Sequence, residues 1–384
     1  MVPMSERAEH EPPAGVRGDP TQHRARLATA TATATATAMD AYDYGLPDAA
    51  IAQRPIEPRS AARLLVAPGL NGNEVPVHAT VADLPELLGP GDVVVVNDTT
   101  VLPARLDLVK ATGGRAEVLL LEPAGPGGEE WEALVRPGRR LPDPTLLYET
   151  APGPPVVEVG PRVGTGDDGR RRIRLLDPSV VERHGTMPLP PYIQRPLAEP
   201  GRYQTVYATA RPLEDRSAAA ATAGLHFTPA LLDRCRAAGA TVARLDLAIG
   251  LDTFRPITAP TPDQHVIHTE RYAVPAETME ACVRADRVVA VGTTVVRALE
   301  AAAATGRRTG RTDLFIRGEY PFRVVDVLVT NFHLPRSSLL LLVEAFCGPQ
   351  WRDLYATALA EGYRFLSFGD AMVVARSALR TGTR

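Results

Sequence analysis

The sequence predicts an α/β domain interrupted by an inserted antiparallel β-barrel domain, with a disordered N-terminal tail. Three observations carry this reading. Apolar runs of strand length alternate with helix-like stretches over residues 39–104 and 186–384, as expected of a sheet covered on both faces. Between them, residues 105–185 hold short strand candidates spaced by Gly/Pro turns, the pattern of a small antiparallel barrel. Residues 1–38 mix charge and proline, then run into the strict Ala/Thr alternation of Thr29–Ala38, which offers no large side chain to bury. The chain has 384 residues, which suits two domains at roughly 100–200 residues each. One α/β domain with an insert explains the order of segments better than two consecutive domains.

Along the chain, Leu84–Leu88 reads as a short helix, and Gly91-Asp92 turns into Val93–Val96, a strand buried on both faces. Ala116–Leu121, Trp131–Val135, Val156–Val159 and Arg171–Leu176 are the barrel strands. Helices and strands then alternate: Pro229–Ala238 helix, Thr241–Ile249 strand, Thr278–Ala285 helix, Val288–Val291 strand, Thr294–Ala304 helix, Val324–Thr330 strand. Two helices, Ser338–Ala345 and Trp351–Glu361, and a last strand, Met372–Ala375, complete the series.

Composition excludes several classes. Apolar residues make up 45% and charged residues 23%, values of an ordinary globular protein, so global disorder is out. A net charge of −3 argues against nucleic-acid binding by bulk charge, so any such surface must be a local patch. The 3 cysteines, Cys235, Cys282 and Cys347, are odd in number and far apart, which fits neither a disulfide framework nor a CxxC metal knuckle. No apolar run reaches the ~18 residues of a membrane span. A soluble, cytoplasmic monomer is expected.

Polar residues gather at the ends of the apolar strands, where open α/β sheets bind ligands: Asn97-Asp98-Thr99, Gly292-Thr293-Thr294 opening the helix that carries Arg297 and Glu300, and Thr330-Asn331-Phe332-His333. Gly292-Thr-Thr suits either anion binding through free amides or plain helix capping. No Walker A and no GxGxxG follows a strand, which disfavours nucleoside triphosphates and Rossmann-type dinucleotides. His265-Val-Ile-His268 has the HxxH spacing of a metal site, but Val266 and Ile267 suit a strand or turn, where the rings diverge, and no third ligand has diagnostic spacing. Hydrogen bonding or acid–base work is the better reading for these histidines. Arg202-Tyr203-Gln204-Thr205-Val206-Tyr207 combines a cation, rings and an amide, a mixture suited to a purine or equally to a structural strand.

These segments, in order, carry a resemblance: Tyr42-Asp-Tyr-Gly-Leu-Pro47, Pro55-Ile-Glu-Pro-Arg59, Gly91-Asp-Val-Val-Val-Val-Asn-Asp-Thr99, Met187-Pro-Leu-Pro-Pro-Tyr-Ile193, Arg202-Tyr-Gln-Thr-Val-Tyr-Ala208, Thr222-Ala-Gly-Leu-His-Phe-Thr228, Val291-Gly-Thr-Thr294, Thr330-Asn-Phe-His-Leu-Pro335 and Ser367-Phe-Gly-Asp-Ala-Met372. From about Asp43 to Val374 the chain resembles the S-adenosylmethionine:tRNA ribosyltransferase-isomerase family. The resemblance implies an α/β domain with an inserted barrel and transfer of the ribosyl part of S-adenosylmethionine to 7-aminomethyl-7-deazaguanine at the tRNA wobble position. Epoxyqueuosine, adenine and methionine are the implied products, without metal. It further implies His226, His268, Glu270 and His333 as catalytic positions, and Thr222, Gly224, Thr293, Arg297, Asn331 and Asp370 as holding S-adenosylmethionine. The chain departs from the family's pattern at Thr100, Arg216, Ala221, Ala248, Asp252 and Gly318-Glu319; Ala248 stands where the family has histidine and Asp252 where it has glycine. A divergent member with weakened turnover of the usual tRNA is therefore expected. Two alternatives stay open at this point: a same-fold enzyme with another acceptor or nucleoside, and an inactive binding paralogue.

Overall fold

The computed structural model describes residues 38–376 except 126, 139–140, 164–168, 251–252 and 254. All of the predicted tail but Ala38 lies outside the described residues. Strands are numbered along the chain. Four parallel strands make the centre of a nine-stranded sheet: β3 (Asp92–Asn97) lies between β10 (Thr241–Leu247) and β12 (Arg287–Val291), and β12 pairs with β14 (Val327–Asn331). Antiparallel strands β11 (Glu270–Ala273) and β13 (Thr309–Thr312) extend one flank. On the other flank, β15 (Ala371–Ala375) runs antiparallel to β14, followed by β1 (Arg63–Val66) and β2 (Val77–Thr80).

The apolar run of β3 is buried on both faces because strand side chains alternate. Val93 and Val95 enter one core with α4 (Thr293–Thr305), α5 (Ser338–Cys347) and α6 (Trp351–Ala360). Val94 and Val96 enter the other with α2 (Pro229–Ala237). Helix α3 (Ala276–Arg284) covers the first face through Cys282. Helix α2 starts where its sequence says: the Thr228 hydroxyl accepts from the Leu231 amide at 3.1 Å, and Pro229 occupies the first turn, where its missing N–H costs nothing.

After β3 the chain leaves the sheet and builds a closed six-stranded barrel in the order β4-β5-β6-β9-β8-β7. Its strands are β4 (Arg105–Lys110), β5 (Arg115–Pro123), β6 (Glu130–Arg136), β7 (Thr145–Tyr148), β8 (Pro155–Arg162) and β9 (Arg170–Leu175). The barrel has a core of its own around Trp131, Leu106, Val118 and Ile173, and α1 (Val180–His184) closes it with Val180 and Val181. An ion pair joins barrel to sheet, from Arg311 on β13 to Glu122 on β5 at 2.8 Å.

Differences from the expected elements have local causes. The helix expected over Leu84–Leu88 is a 3-10 helix, Val81–Leu87, that contains Pro85, is opened by a Thr80–Asp83 capping box and leaves Leu88 as its extended C-cap. The strand expected from Val324 starts only at Val327, because the amides of Val324 and Val325 donate to the Glu300 carboxylate at 2.9 and 3.1 Å instead of to a neighbouring strand. Edge strand β13 carries no strand signal in its sequence, since Thr309-Gly-Arg-Thr312 is mostly exposed and shows no apolar period.

Candidate active site

The carboxyl ends of β3, β10, β12 and β14 lie at one edge of the sheet, and the polar segments that follow them meet there. Gly292, at φ 98°, makes the turn from β12 into α4, a backbone position that glycine takes without strain. No side chain caps α4. One turn into the helix, Arg297 points back to the sheet edge, where its guanidinium donates to the Glu270 carboxylate at 2.5 Å. It also donates to the carbonyls of His268 and Thr312 at 3.0 and 3.2 Å. The pair is buried, with Arg297 11% and Glu270 5% exposed. The other Glu270 oxygen accepts from the Gly250 amide and the Thr253 hydroxyl at 3.0 and 3.1 Å. Among the described residues the buried Arg297 Nε has no hydrogen-bond partner.

This ion pair forms one wall of a cavity of about 460 Å³ between sheet edge and barrel. His268, Glu270, Thr293 and Arg297 line it; so do His265 and, from the barrel, Glu122, Glu132 and Arg170. Two small crevices of about 20 and 30 Å³ share Thr253 and Leu339 with the cavity. Thr222, Asn331 and His333 line both of them. There the Thr222 hydroxyl donates to Asn331 Oδ1 at 3.0 Å, and Thr330 Oγ1 lies 2.9 Å from His333 Nε2.

A family profile described as "Queuosine biosynthesis protein" matches residues 39–374. The chain belongs to this family. It is 48% identical over 341 residues to the S-adenosylmethionine:tRNA ribosyltransferase-isomerase of Rubrobacter xylanophilus, covering 87% of this chain and 97% of that protein. The protein of the same name from Thermus thermophilus is 49% identical over 353 residues, covering 88% and 99%. A crystal structure of S-adenosylmethionine tRNA ribosyltransferase from Thermotoga maritima is 34% identical, covers 86% of this chain and 99% of that one, and has a TM-score of 0.48.

Three of the residues implied by the family resemblance stand outside the cavity and the crevices. The His226 ring is buried between the Ala223 carbonyl at 3.2 Å and the Gly369 carbonyl at 2.9 Å. Burial pushes its imidazole below the ordinary histidine range, and those two carbonyls oppose the shift. Asp370 ties backbone, accepting from the amides of Arg63 and Arg364 at 3.0 and 2.8 Å. Gly224 packs against Tyr207, whose hydroxyl would meet a Cβ at 1.9 Å. None of Arg202–Tyr207 lines the cavity or the crevices either. Tyr203 and Tyr207 are core residues, Arg202 pairs with Glu57 at 2.7 Å, and the Gln204 amide bridges the backbone N–H and carbonyl of Val101.

The departures from the family's pattern are spread over the site's surroundings. The Thr100 hydroxyl donates to the Thr209 carbonyl, and Asp98 beside it is paired by Arg211 at 2.6 Å. Ala221 lines one of the two crevices. Arg216 pairs with Glu182, and it shares a further cavity with Ala248. Asp252 lies outside the described residues.

His333 supplies a pH test. Burial takes its imidazole from the ordinary 6.5 down to about 3, so the folded protein keeps it neutral. Between those values the unfolded chain binds the extra proton, so stability falls as pH drops below 6.5 and is unaffected above it. The loss is expected to reach about 2 kcal/mol by pH 5. Urea unfolding at pH 7.5 and 5.0 reads it, and His333→Asn should lose measurably less across that range than the wild type. Equal losses would show that this ring does not set the dependence.

Proposed function

We propose that the chain transfers the ribosyl moiety of S-adenosylmethionine to the aminomethyl nitrogen of 7-aminomethyl-7-deazaguanine in tRNA and isomerises it to epoxyqueuosine, with release of adenine and methionine. Membership of the queuosine biosynthesis family across residues 39–374 carries this reading. The acceptor stands at the tRNA wobble position, and the enzyme works as a cytoplasmic monomer. Among the described residues no helix is long and apolar enough to cross a membrane.

The cavity of about 460 Å³ has the size of a site for a cofactor-sized molecule. S-adenosylmethionine brings a sulfonium, which acidifies the adjacent carbon and makes methionine a good leaving group. The residues around it have three tasks. The carboxylates of Glu270, Glu122 and Glu132 face the cationic sulfur across a partly desolvated space. The uncapped start of α4 at Thr293 suits the carboxylate end of the methionine portion. His268 stands on the same wall as a proton acceptor. Thr222, Asn331 and His333 shape the crevice beyond it, with His333 neutral and so able to accept or donate one hydrogen bond. His226, Gly224 and Asp370 hold the backbone around that crevice.

No group of three or more His, Cys, Asp or Glu among the described residues is placed to hold a metal. Adenine release is therefore expected to survive exhaustive chelation when protein, S-adenosylmethionine and precursor-bearing tRNA are mixed, with a matching gain in tRNA mass. No adenine release, or release that only added zinc restores, would sink this reading.

The divergent positions give a second test. We propose that Ala248 and Asp252 slow turnover of the usual tRNA. Reverting both, Ala248→His with Asp252→Gly, is expected to raise single-turnover adenine release, up to the ~10²-fold typical of a restored acid–base or hydrogen-bonding group. Brisk wild-type turnover that the reversion leaves unchanged would show these positions to be compensated.

A further inference from the structure

Beside the main cavity lies another, of about 370 Å³, which none of the residues assigned above to S-adenosylmethionine or to catalysis occupies except Glu122. The two cavities share Leu121, Glu122 and Gly250. Neighbouring residues of a strand ordinarily face opposite ways, yet Leu121 and Glu122 both line both cavities. The register of β5 against β6 slips between Leu120 and Glu122, and such a bulge re-aims side chains. Gly250 adds no side chain to the partition; the nearest atom that a Cβ there would meet is a Glu270 oxygen at 3.9 Å. The partition is thus thin, and one acidic residue, Glu122, borders both spaces.

The charges around the second cavity are mostly satisfied within the protein. Arg271 pairs with Asp246 at 3.1 Å and Asp215 at 3.4 Å. Arg311 pairs with Glu122 at 2.8 Å, and Arg216 with Glu182. Among the described residues Glu214 alone of these lining carboxylates has no ion pair. A carboxylate accepts two parallel hydrogen bonds, and a guanidinium donates two.

We propose that this second cavity is the acceptor subsite, taking a guanine-type base turned out of its strand. The inference rests on the reaction proposed above. The guanine edge presents two adjacent donors, the ring N–H and the 2-amino group, which fit Glu214, and a carbonyl acceptor that fits the guanidinium side of the cavity. The aminomethyl group, a cation at neutral pH like a lysine side chain, extends to the shared partition and meets Glu122. Bond formation between two bound substrates requires their reacting atoms to lie about 3–3.5 Å apart. Two adjoining cavities that share Leu121, Glu122 and Gly250 can bring their occupants together in this way. RNA-modifying enzymes reach a base in this way, extruded and read on its Watson–Crick edge.

Binding without S-adenosylmethionine tests the subsite independently of the reaction. Full-length protein is titrated with tRNA carrying the 7-aminomethyl-7-deazaguanine base and with the same tRNA carrying guanine. The wild type is expected to prefer the first by about tenfold or more, the scale of one good bidentate or charge-assisted contact. Glu122→Gln should abolish that preference. Glu214→Gln should weaken both tRNAs alike, and should remove the wild type's penalty for an acceptor base lacking the 2-amino group. Calorimetric affinity for S-adenosylmethionine should be unchanged in Glu214→Gln, which a general folding defect would not allow. No preference in the wild type, or preference and 2-amino penalty intact in both variants, overturns the subsite. Absence of adenine release while these binding differences hold would instead overturn the proposed reaction and leave the subsite standing.

Discussion

Arg297→Ala is expected to lower unfolding stability by about 3–5 kcal/mol, the usual cost of leaving a buried carboxylate without its partner. Glu270 is 5% exposed, and among the described residues its carboxylate receives, beyond Arg297, only the Gly250 amide and the Thr253 hydroxyl. The guanidinium also fastens the carbonyls of His268 and Thr312, so its loss frees the segment that carries His268 onto the cavity wall. Adenine release should fall by at least ~10²-fold, since both the orientation of Glu270 and the anchoring of the His268 segment disappear. Arg297→Lys keeps the charge without the fork, and should recover much of the stability but little of the rate. Urea unfolding and single-turnover adenine release measure the two effects separately. An alanine variant within 1 kcal/mol of the wild type, with an unchanged rate, would remove this pair from the centre of the site.

The second large effect is expected at Glu300, on the buried side of α4. Its carboxylate, 0% exposed, accepts from the amides of Arg323, Val324 and Val325 at 2.8, 2.9 and 3.1 Å. Arg323 is exposed and can turn to water, whereas Val324 and Val325 are 7% and 0% exposed. Glu300→Ala therefore orphans two buried donors and opens a void, and should cost about 3–5 kcal/mol in urea unfolding. Glu300→Gln can keep its oxygen on Val324 and Val325 and present its amino group to the exposed side. Its expected cost is about 1 kcal/mol. Equal losses in the two variants would mean that volume, not amide satisfaction, is what Glu300 contributes. The segment it holds leads into β14 and so to Asn331 and His333; a glutamate that reads as part of a site motif is thus a brace for the site.

The two carboxylates show how differently motif residues can be employed. Glu270 follows the His265–His268 segment and Glu300 sits in the helix opened by Gly292-Thr293-Thr294, and nothing in their spacing tells their tasks apart. Glu270 lines the cavity and pairs with a guanidinium, while Glu300 faces backbone. The same holds for the histidines. His268 lies on the cavity wall and His333 on the crevices, but His226 is enclosed by main-chain carbonyls, although its surrounding motif is equally dense. A one-dimensional pattern records that a polar group is present, not which group receives its hydrogen bonds.

Much was nonetheless legible in the chain itself. The unbroken apolar run Val93–Val96 marked a central strand, and Gly292-Thr293-Thr294 before an apolar helix marked the turn on which Arg297 depends. The change from long alternating elements to short turn-spaced strands marked the inserted barrel, because binary pattern and turn chemistry are local properties. The ordered motifs also determined the family. Only the tertiary structure decided what faces what. Glu122, Glu132 and Arg170 belong to the site because the barrel closes over the sheet edge, and a strand's period tells which of its own faces is polar, never which distant element covers that face. A one-residue slip in β5 brought Leu121 and Glu122 to the same partition, a consequence of pairing between strands that no single strand's sequence contains.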